Sequence, residues 1–487
     1  MATNGVPEAR FGSSSTIPLW LDGKEITSNS TFEVTSPVTH EVLYSASSAS
    51  EEDVHKAVDS AQRAFNTWSL TKPRERRDIF LKAAKEFERR RPELKTYIYN
   101  ETGEASAFFE FEYTGAIETC ISIAGLIQVA SESAAPTVND GSAILLKEPW
   151  GVVLAISPWN APYALGIRAV LSPLAMGNTV IFKGPEAAPA TAWAITDVLH
   201  SAGLPAGCLN TVYHRPSDAA AITSALIVHP AIKKINFTGS TRVGSIIASL
   251  AGKNLKPTVL ELGGKAPAII CEDADIEKAA FQCTLGAFLH AGQICMSTER
   301  ILVNSKVLPQ FRQAFKEAIN TVFSEQGQGV AGQLFSKLPV ENNKKLVADA
   351  ISKGATTLYG DPNYNEPSET KMRPLVLESV KPTMDIYYNE SFGPSSSLIV
   401  TQSDEEAVAI ANDTVYGLSA AVFTENLRRG LRIARRLESG AVHINSMTVH
   451  DESSVAHGGY KHSGFGRFNG LDGLNEWVHT KSIFWKD

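Results

Sequence analysis

Between residues 152 and 262 short apolar runs alternate with longer stretches whose apolar residues recur at helical spacing, the pattern of βαβ units in a parallel sheet. The predicted strands are Val152 to Ile156, Thr179 to Phe182, Leu209 to Tyr213, Lys234 to Phe237 and Val259 to Leu262. The predicted crossover helices are Tyr163 to Ala175, Ala190 to Ala202, Ala219 to Val228 and Arg242 to Ala251. A nucleotide-binding α/β domain follows. Upstream, Leu19-Trp20-Leu21 runs into Asp22-Gly23, a tight-turn signal between two short strand-like runs. Glu51 to Trp68 and Pro73 to Leu94 predict helices, with Ser50 as N-cap of the first and Pro73 opening the second. Residues 1 to 16 read as a loose arm. A second βα series begins at Ala268 to Cys271 and passes through Asp275 to His290, Arg300 to Val303, Leu308 to Phe323 and Ser403 to Ala411. The two series join near Gly263-Gly264, and Tyr359 to Arg373, with two prolines and several acidic residues, reads as a surface loop.

Composition narrows what such a chain does. Its 487 residues suffice for two or three packed units, at roughly 100 to 200 residues each. With 43% hydrophobic and 20% charged residues it is globular in character. A net charge of -7 argues against nucleic acid as a partner, and the densest basic cluster, Arg89-Arg90-Arg91, falls in a helical pattern and reads as a solvated face. Five scattered cysteines, without a Cys-x-x-Cys pair or matching histidines, exclude a disulfide framework and predict no structural metal. Residues 1 to 16 are too polar for a signal peptide, and no run of about 18 apolar residues occurs, so the expectation is a cytoplasmic protein away from membranes.

Candidate chemistry clusters where strands end. Cys295 in Gly292-Gln293-Ile294-Cys295 follows a helical run and precedes a strand, a position that suits a nucleophile. At an ordinary thiol pKa only about 3% is thiolate at pH 7; lowering it to about 7 raises that to half, a roughly tenfold gain that leaves the remaining catalysis to placement and oxyanion stabilisation. Cys120, Cys208, Cys271 and Cys283 are read as small buried apolar residues. Glu261 sits inside an apolar strand just before Gly263-Gly264-Lys265; loss of solvation should raise its pKa toward neutrality and suit it to general-base work, the alternative being an ion pair with Lys265. Asn160, in Pro158-Trp159-Asn160 after the Val152 to Ile156 strand, can donate to an oxyanion without changing protonation state. Phe237-Thr238-Gly239-Ser240 gives a strand, a glycine turn and a helix start, able to present N–H groups to phosphate. Lys183 and Glu186 are spaced to meet ribose hydroxyls, and the Glu186 charge opposes a ribose phosphate by about 4 kcal/mol at 4 Å and an effective dielectric of 20. NAD is favoured, with NADP as the alternative.

These motifs, with Glu390-Ser-Phe392-Gly393-Pro394, resemble in order and spacing the aldehyde dehydrogenase superfamily, from about Pro18 to the C-terminus. The resemblance implies an α/β fold with a Rossmann-type NAD-binding domain (residues 1–126 and 150–262), an α/β catalytic domain (263–467) and a small β bridging arm (127–149 and 468–487) that pairs subunits into a homodimer or homotetramer. Cys295 would be the nucleophile, Asn160 and the Cys295 backbone N–H the oxyanion hole, and Glu261 the base that activates water. The cofactor would be held by Ile156, Trp159, Lys183, Glu186, Phe237, Gly239, Ser240, Val243, Leu262, Glu390 and Phe392. Finer resemblance, through Cys295-Met-Ser-Thr-Glu-Arg300, Arg168 and Thr448-Val-His450-Asp-Glu452, is to the salicylaldehyde and vanillin dehydrogenase branch. It implies a small aromatic aldehyde as substrate, with Arg168 lining the access tunnel to meet a ring hydroxyl or forming a helix-surface ion pair. His457 stands where the branch usually has an aromatic or apolar residue. A biosynthetic enzyme acting on a tailored secondary-metabolite aldehyde and a non-catalytic structural relative are the rival readings.

Overall fold

The predicted βαβ series folds into an eight-stranded sheet in which five parallel strands form the centre. In the computed structural model the described residues are 9–129, 133–136, 142–323, 332–364 and 366–486. The five strands are Val152–Ile156, Thr179–Lys183, Leu209–Val212, Ile232–Thr238 and Thr258–Glu261. Numbered along the chain, they lie in the order 3-2-1-4-5. Such an order arises when successive crossovers wind first one way from the founding strand and then the other, burying both faces under helices. Val152–Ile156 is accordingly buried along its whole length. Leu19–Leu21 and Lys24–Ile26 extend one edge as an antiparallel hairpin, whose turn residues Asp22 (φ 56) and Gly23 (φ 71) both take the left-handed conformation that a two-residue hairpin demands.

A second, seven-stranded sheet carries the rest of the chain in the order Thr356–Tyr359, Leu375–Glu378, Ser395–Thr401, Thr298–Asn304, Ala266–Ile270, Ser419–Phe423, Ala441–Ile444. All its pairings are parallel except that of the first edge strand. A small antiparallel sheet joins Ser133–Pro136, Ser142–Pro149 and Val478–Trp485. The remainder of the 127–149 segment expected in an arm lies partly outside the described residues.

Helices begin where the sequence placed them. Ser50 caps Glu51–Trp68 in a reciprocal capping box with Asp53, and Pro73 opens Pro73–Thr102. That second helix outruns its expected end at Leu94, and a third, Ser106–Leu126, was not expected at all. The third helix buries residues on several faces, Phe108, Phe109, Tyr113, Ala116, Ile117 and Cys120 among them, so no amphipathic period marks it.

Four local expectations are corrected. Residues 9–16 are pinned and not loose: Phe11 meets the Trp193 ring edge-on at 4.8 Å, and Arg10 forks onto Glu25 at 2.6 and 2.7 Å; residues 1–8 lie outside the described residues. Arg90 does not face solvent but is buried between Glu93 and Asp197, while Arg89 and Arg91 pair with Glu86 and Glu110 at the surface. Gly464–Phe465, inside the 263–467 segment expected to form the catalytic domain, pairs as a strand with Thr258–Glu261 of the first sheet. Within 468–487, Phe468, Leu474 and Trp477 pack into the core beneath the first sheet, and only Val478–Trp485 runs with the small one.

Candidate active site

Strand order in the first sheet reverses at Val152–Ile156, and the carboxyl ends of strands at such a reversal form the crevice where open α/β sheets bind ligands. Ile156, Trp159 and Asn160 leave one strand there, Lys183 and Glu186 a second, Phe237, Gly239 and Ser240 a third, and Glu261 and Leu262 a fourth. Ser240 is the N-cap of Thr241–Lys253 and accepts from the Val243 N–H at 3.4 Å, so a helix N-terminus opens at that edge. A Cβ at Gly239 would lie 2.5 Å from the tip of the Phe237 ring, so a side chain there requires that ring to move. Lys183 is buried and pairs with Glu186 at 3.1 Å. Burial pulls the Glu186 carboxyl upward, but Lys183 outweighs it and holds the pKa below the usual value.

The Cys295 loop is shaped by three successive left-handed residues, His290 (φ 49), Ala291 (φ 54) and Gly292 (φ 73). For the two non-glycines this costs roughly 1–2 kcal/mol each, offset by a dense set of contacts. His290 stacks on Phe108 at 4.8 Å. Buried Gln293 donates to the carbonyls of His290 and Gln333 at 3.1 and 3.2 Å and accepts from the Phe335 N–H at 2.8 Å. Asn160 donates one amide N–H to the Gln293 carbonyl at 2.9 Å, and its other N–H is left for a ligand. The Gly263-Gly264 pair is explained by close approach on both sides. A Cβ at Gly264 would overlap the Cys295 carbonyl oxygen, and one at Gly263 would sit 2.5 Å from a Glu390 carboxylate oxygen. Glu390 accepts from the Gly264 N–H at 2.9 Å, and burial, reinforced by Glu299, pushes its pKa up to about 8. Phe392 (φ 46) meets Trp159 edge-on at 6.4 Å.

Cys295 and Glu261 touch: the thiol donates to Glu261 Oε1 at 3.5 Å. The expectation for the Glu261 charge is reversed here. Burial does raise the Glu261 carboxyl, but Arg168, buried beside it, and then His457 more than cancel that, leaving its pKa at about 2. Glu261 is therefore a carboxylate throughout the ordinary pH range, held by Arg168 and not by Lys265, which pairs instead with Glu299. Burial and the Glu261 charge outweigh the downward pull of Arg168 and push the Cys295 thiol well above its usual pKa.

Arg168 is likewise neither free in a tunnel nor on a helix surface. It bridges Glu261 and Asp451, the latter at 3.2 Å, with its guanidinium 4.4 Å from the Phe468 ring centroid. His457 spans the same two carboxylates, with Nε2 3.5 Å from Glu261 and Nδ1 3.6 Å from Asp451, and Asn469 donates to Asp451 at 2.8 Å. Two acids and two bases thus close into a ring behind Cys295. Asp451, Asn469 and Glu299 were not singled out from sequence as site residues, and His457 was noted only as a departure; folding brings His457 to Glu261 and Glu299 to Lys265, while Asp451, held by Asn469, reaches Glu261 only through Arg168 and His457.

In front of Cys295 lies a cavity of about 400 Å³, within the usual size for a small-molecule site. Asn160, Arg168, Glu261 and Cys295 line it together with an apolar wall that includes Phe108, Phe111, Leu165 and Val449. Among the described residues no cluster of His, Cys, Asp and Glu fits a metal ion, and no helix is long and apolar enough to cross a membrane.

A double-wound nucleotide-type sheet, a cysteine in contact with a carboxylate and an apolar cavity are the parts of a thiol-dependent dehydrogenase, and the chain belongs to the aldehyde dehydrogenase family, whose model matches residues 24–483. Within that family it is similar to the vanillin dehydrogenase of Pseudomonas sp. (strain HR199 / DSM 7063), at 41% identity over 96% of this chain and 97% of the relative. It is also similar to the salicylaldehyde dehydrogenase of Pseudomonas sp. (strain C18), at 38% identity over 95% of each chain. The crystal structure of a salicylaldehyde dehydrogenase from Pseudomonas putida G7 complexed with salicylaldehyde superposes with a TM-score of 0.93, at 38% identity, over 97% of this chain and 98% of the other.

Proposed function

We propose that this enzyme oxidises aromatic aldehydes to carboxylic acids with NAD, through a thioester on Cys295. The observation that carries the reading is the 3.5 Å contact between the Cys295 thiol and Glu261 beside the Asn160 amide, all three lining one cavity. Glu261 takes the thiol proton as sulfur bonds to the aldehyde carbon, and the carbonyl oxygen becomes an oxyanion that the free Asn160 N–H and the Cys295 backbone N–H hold. An amide donor of this kind is worth on the order of 10² to 10³ in rate. NAD, when bound, supplies the acceptor for the hydride that leaves the thiohemiacetal carbon. Glu261 releases the thiol proton to solvent and, as a carboxylate again, takes a proton from water, whose hydroxyl displaces the Cys295 thiolate; the acid is released and the proton on Glu261 returns to the thiolate. Proximity supplies what the pKa mismatch withholds: a cysteine far above neutrality ionises only when the electrophile is in place, so the resting thiol stays unreactive.

The residues present fit a dinucleotide. The helix N-terminus at Ser240, the Gly239 turn crowded by the Phe237 ring, and the buried Lys183 with Glu186 would hold phosphate and ribose, while Glu390 and Phe392 would hold the nicotinamide end. Glu186, partly exposed, disfavours a ribose phosphate and favours NAD over NADP. The apolar wall favours an aromatic ring, in keeping with the vanillin and salicylaldehyde dehydrogenases it is similar to. The test is NADH release from benzaldehyde, salicylaldehyde, vanillin and hexanal with NAD and NADP in parallel. Turnover of the aromatic aldehydes with NAD, abolished in Cys295→Ser, is expected; faster turnover of hexanal, or unchanged NADH release by the variant, would overturn the proposal.

A further inference from the structure

The described walls of the Cys295 cavity hold a single cation against six carboxyls. Besides Glu261 the acids are Glu110, Glu112, Glu118, Asp451 and Glu452, and the cation is Arg168. Both terminal nitrogens of Arg168 are committed, bridging Glu261 and Asp451 with the guanidinium face against Phe468, while its buried Nε has no partner among the described residues. Glu110 is offset by Arg91 at 2.7 Å and Lys95 at 3.4 Å outside the cavity. Glu112 is buried, and desolvation raises its pKa to about 8, so it is largely uncharged at neutrality. The charges left uncompensated are exposed and adjacent: Glu118 has no ion-pair partner among the described residues, and Glu452 meets only His450, at 3.0 Å. Their segments are stitched together, since Ser453 bonds Ser122 at 2.6 Å and donates to the Glu118 carbonyl at 3.4 Å.

We infer that this rim sorts aldehydes by charge: neutral and cationic ring aldehydes are accepted and those bearing a carboxylate are rejected, with Glu118 and Glu452 as the specificity residues. The inference rests on the proposal that the cavity receives the aldehyde. A carboxylate on the ring finds no unoccupied cation, would have to compete with Glu261 or Asp451 for Arg168, and passes two like charges on the way in. A neutral ring meets none of these penalties. Specificity here comes from repulsion built against one class, not from an added attraction to the other.

The test compares kcat/KM for 4-carboxybenzaldehyde, its neutral isostere methyl 4-formylbenzoate, and 4-(trimethylammonio)benzaldehyde. The ester and the cation should exceed the acid by about 100-fold at low ionic strength, and the gap should narrow with salt because the rim is exposed. Glu118→Gln combined with Glu452→Gln, which keeps shape and hydrogen bonding, should raise the acid relative to the ester by about 10-fold. Equal turnover of acid and ester by the unaltered enzyme, or an unchanged ratio in the double variant, overturns the inference while leaving the aldehyde reading intact. Failure to turn over any of the three overturns both.

Discussion

Replacing Arg168 should convert Glu261 from a permanent carboxylate into a group that titrates in the physiological range. In the present structure Arg168 and His457 hold Glu261 at about 2 against the upward push of burial. The same protein shows where a buried carboxyl settles without an ion-pair partner: Glu112 and Glu390 both lie at about 8. His457 remains in Arg168→Met, so the Glu261 pKa should rise most of that way, to about 6 to 8. In the proposed mechanism the base works as its carboxylate, so the kcat/KM profile for benzaldehyde should stay flat on its acid side in the unaltered enzyme and acquire a limb in the variant, with activity lost as pH falls through neutrality. Arg168→Lys, which keeps the charge, should show no such limb. Stability should move in the matching sense. A depressed folded pKa gives stabilisation that is present above the ordinary carboxylate pKa and lost as pH falls toward 2. With the pKa raised, the penalty grows as pH rises from the ordinary value through the new one. Breaking a buried pair costs about 3–5 kcal/mol, so the variant's Tm deficit should be larger at pH 8 than at pH 5. Superimposable pH profiles for Arg168→Met and the unaltered enzyme between pH 5 and 9 would refute the reasoning.

Other perturbations separate the remaining parts of the site. Asn160→Ala removes a free amide N–H from the cavity and should lower kcat by roughly 10² to 10³ with a much smaller change in KM; an effect on KM alone would show that Asn160 only positions substrate. Gly264→Ala forces a Cβ onto the Cys295 carbonyl, so NADH release should fall at least 100-fold while circular dichroism stays native, an estimate based on the rate cost of displacing a reacting group by about 1 Å. An unimpaired Gly264→Ala enzyme would show that the loop shifts without penalty.

The parallel strands and their crossovers were legible because a fully buried strand flanked by helices leaves an uninterrupted apolar run, as at Val152–Ile156. The Ser106–Leu126 helix was not legible, since burial on several faces erases the period that sequence reading depends on. Cys295, Asn160 and Glu261 could be named from their motifs, and the fold brings them to one cavity. Their charge states could not be named. Whether a buried carboxylate rises or falls depends on which cation reaches it, and Arg168 and His457 come from a helix and a loop 289 positions apart in the chain (457 − 168). Lys265, four positions from Glu261, was the alternative partner by sequence, yet it lies just before the strand Ala266–Ile270 and pairs with Glu299. The double glycine shows the opposite case: its presence was plain, while its reason, room for Cys295 on one side and Glu390 on the other, needed three-dimensional structure.

The central claim is that Cys295 carries the acyl group and Glu261 activates the water that removes it. The direct measurement is intact-protein and peptide mass spectrometry of Glu261→Gln after mixing with NAD and benzaldehyde, with NADH followed in parallel. Release of about one NADH per active site, formed more slowly than in the unaltered enzyme because Gln cannot take the thiol proton, and stalling with a benzoyl mass increment on the peptide that contains Cys295, is the expected result. Steady turnover at the unaltered rate, or NADH release with no adduct on Cys295, would contradict it.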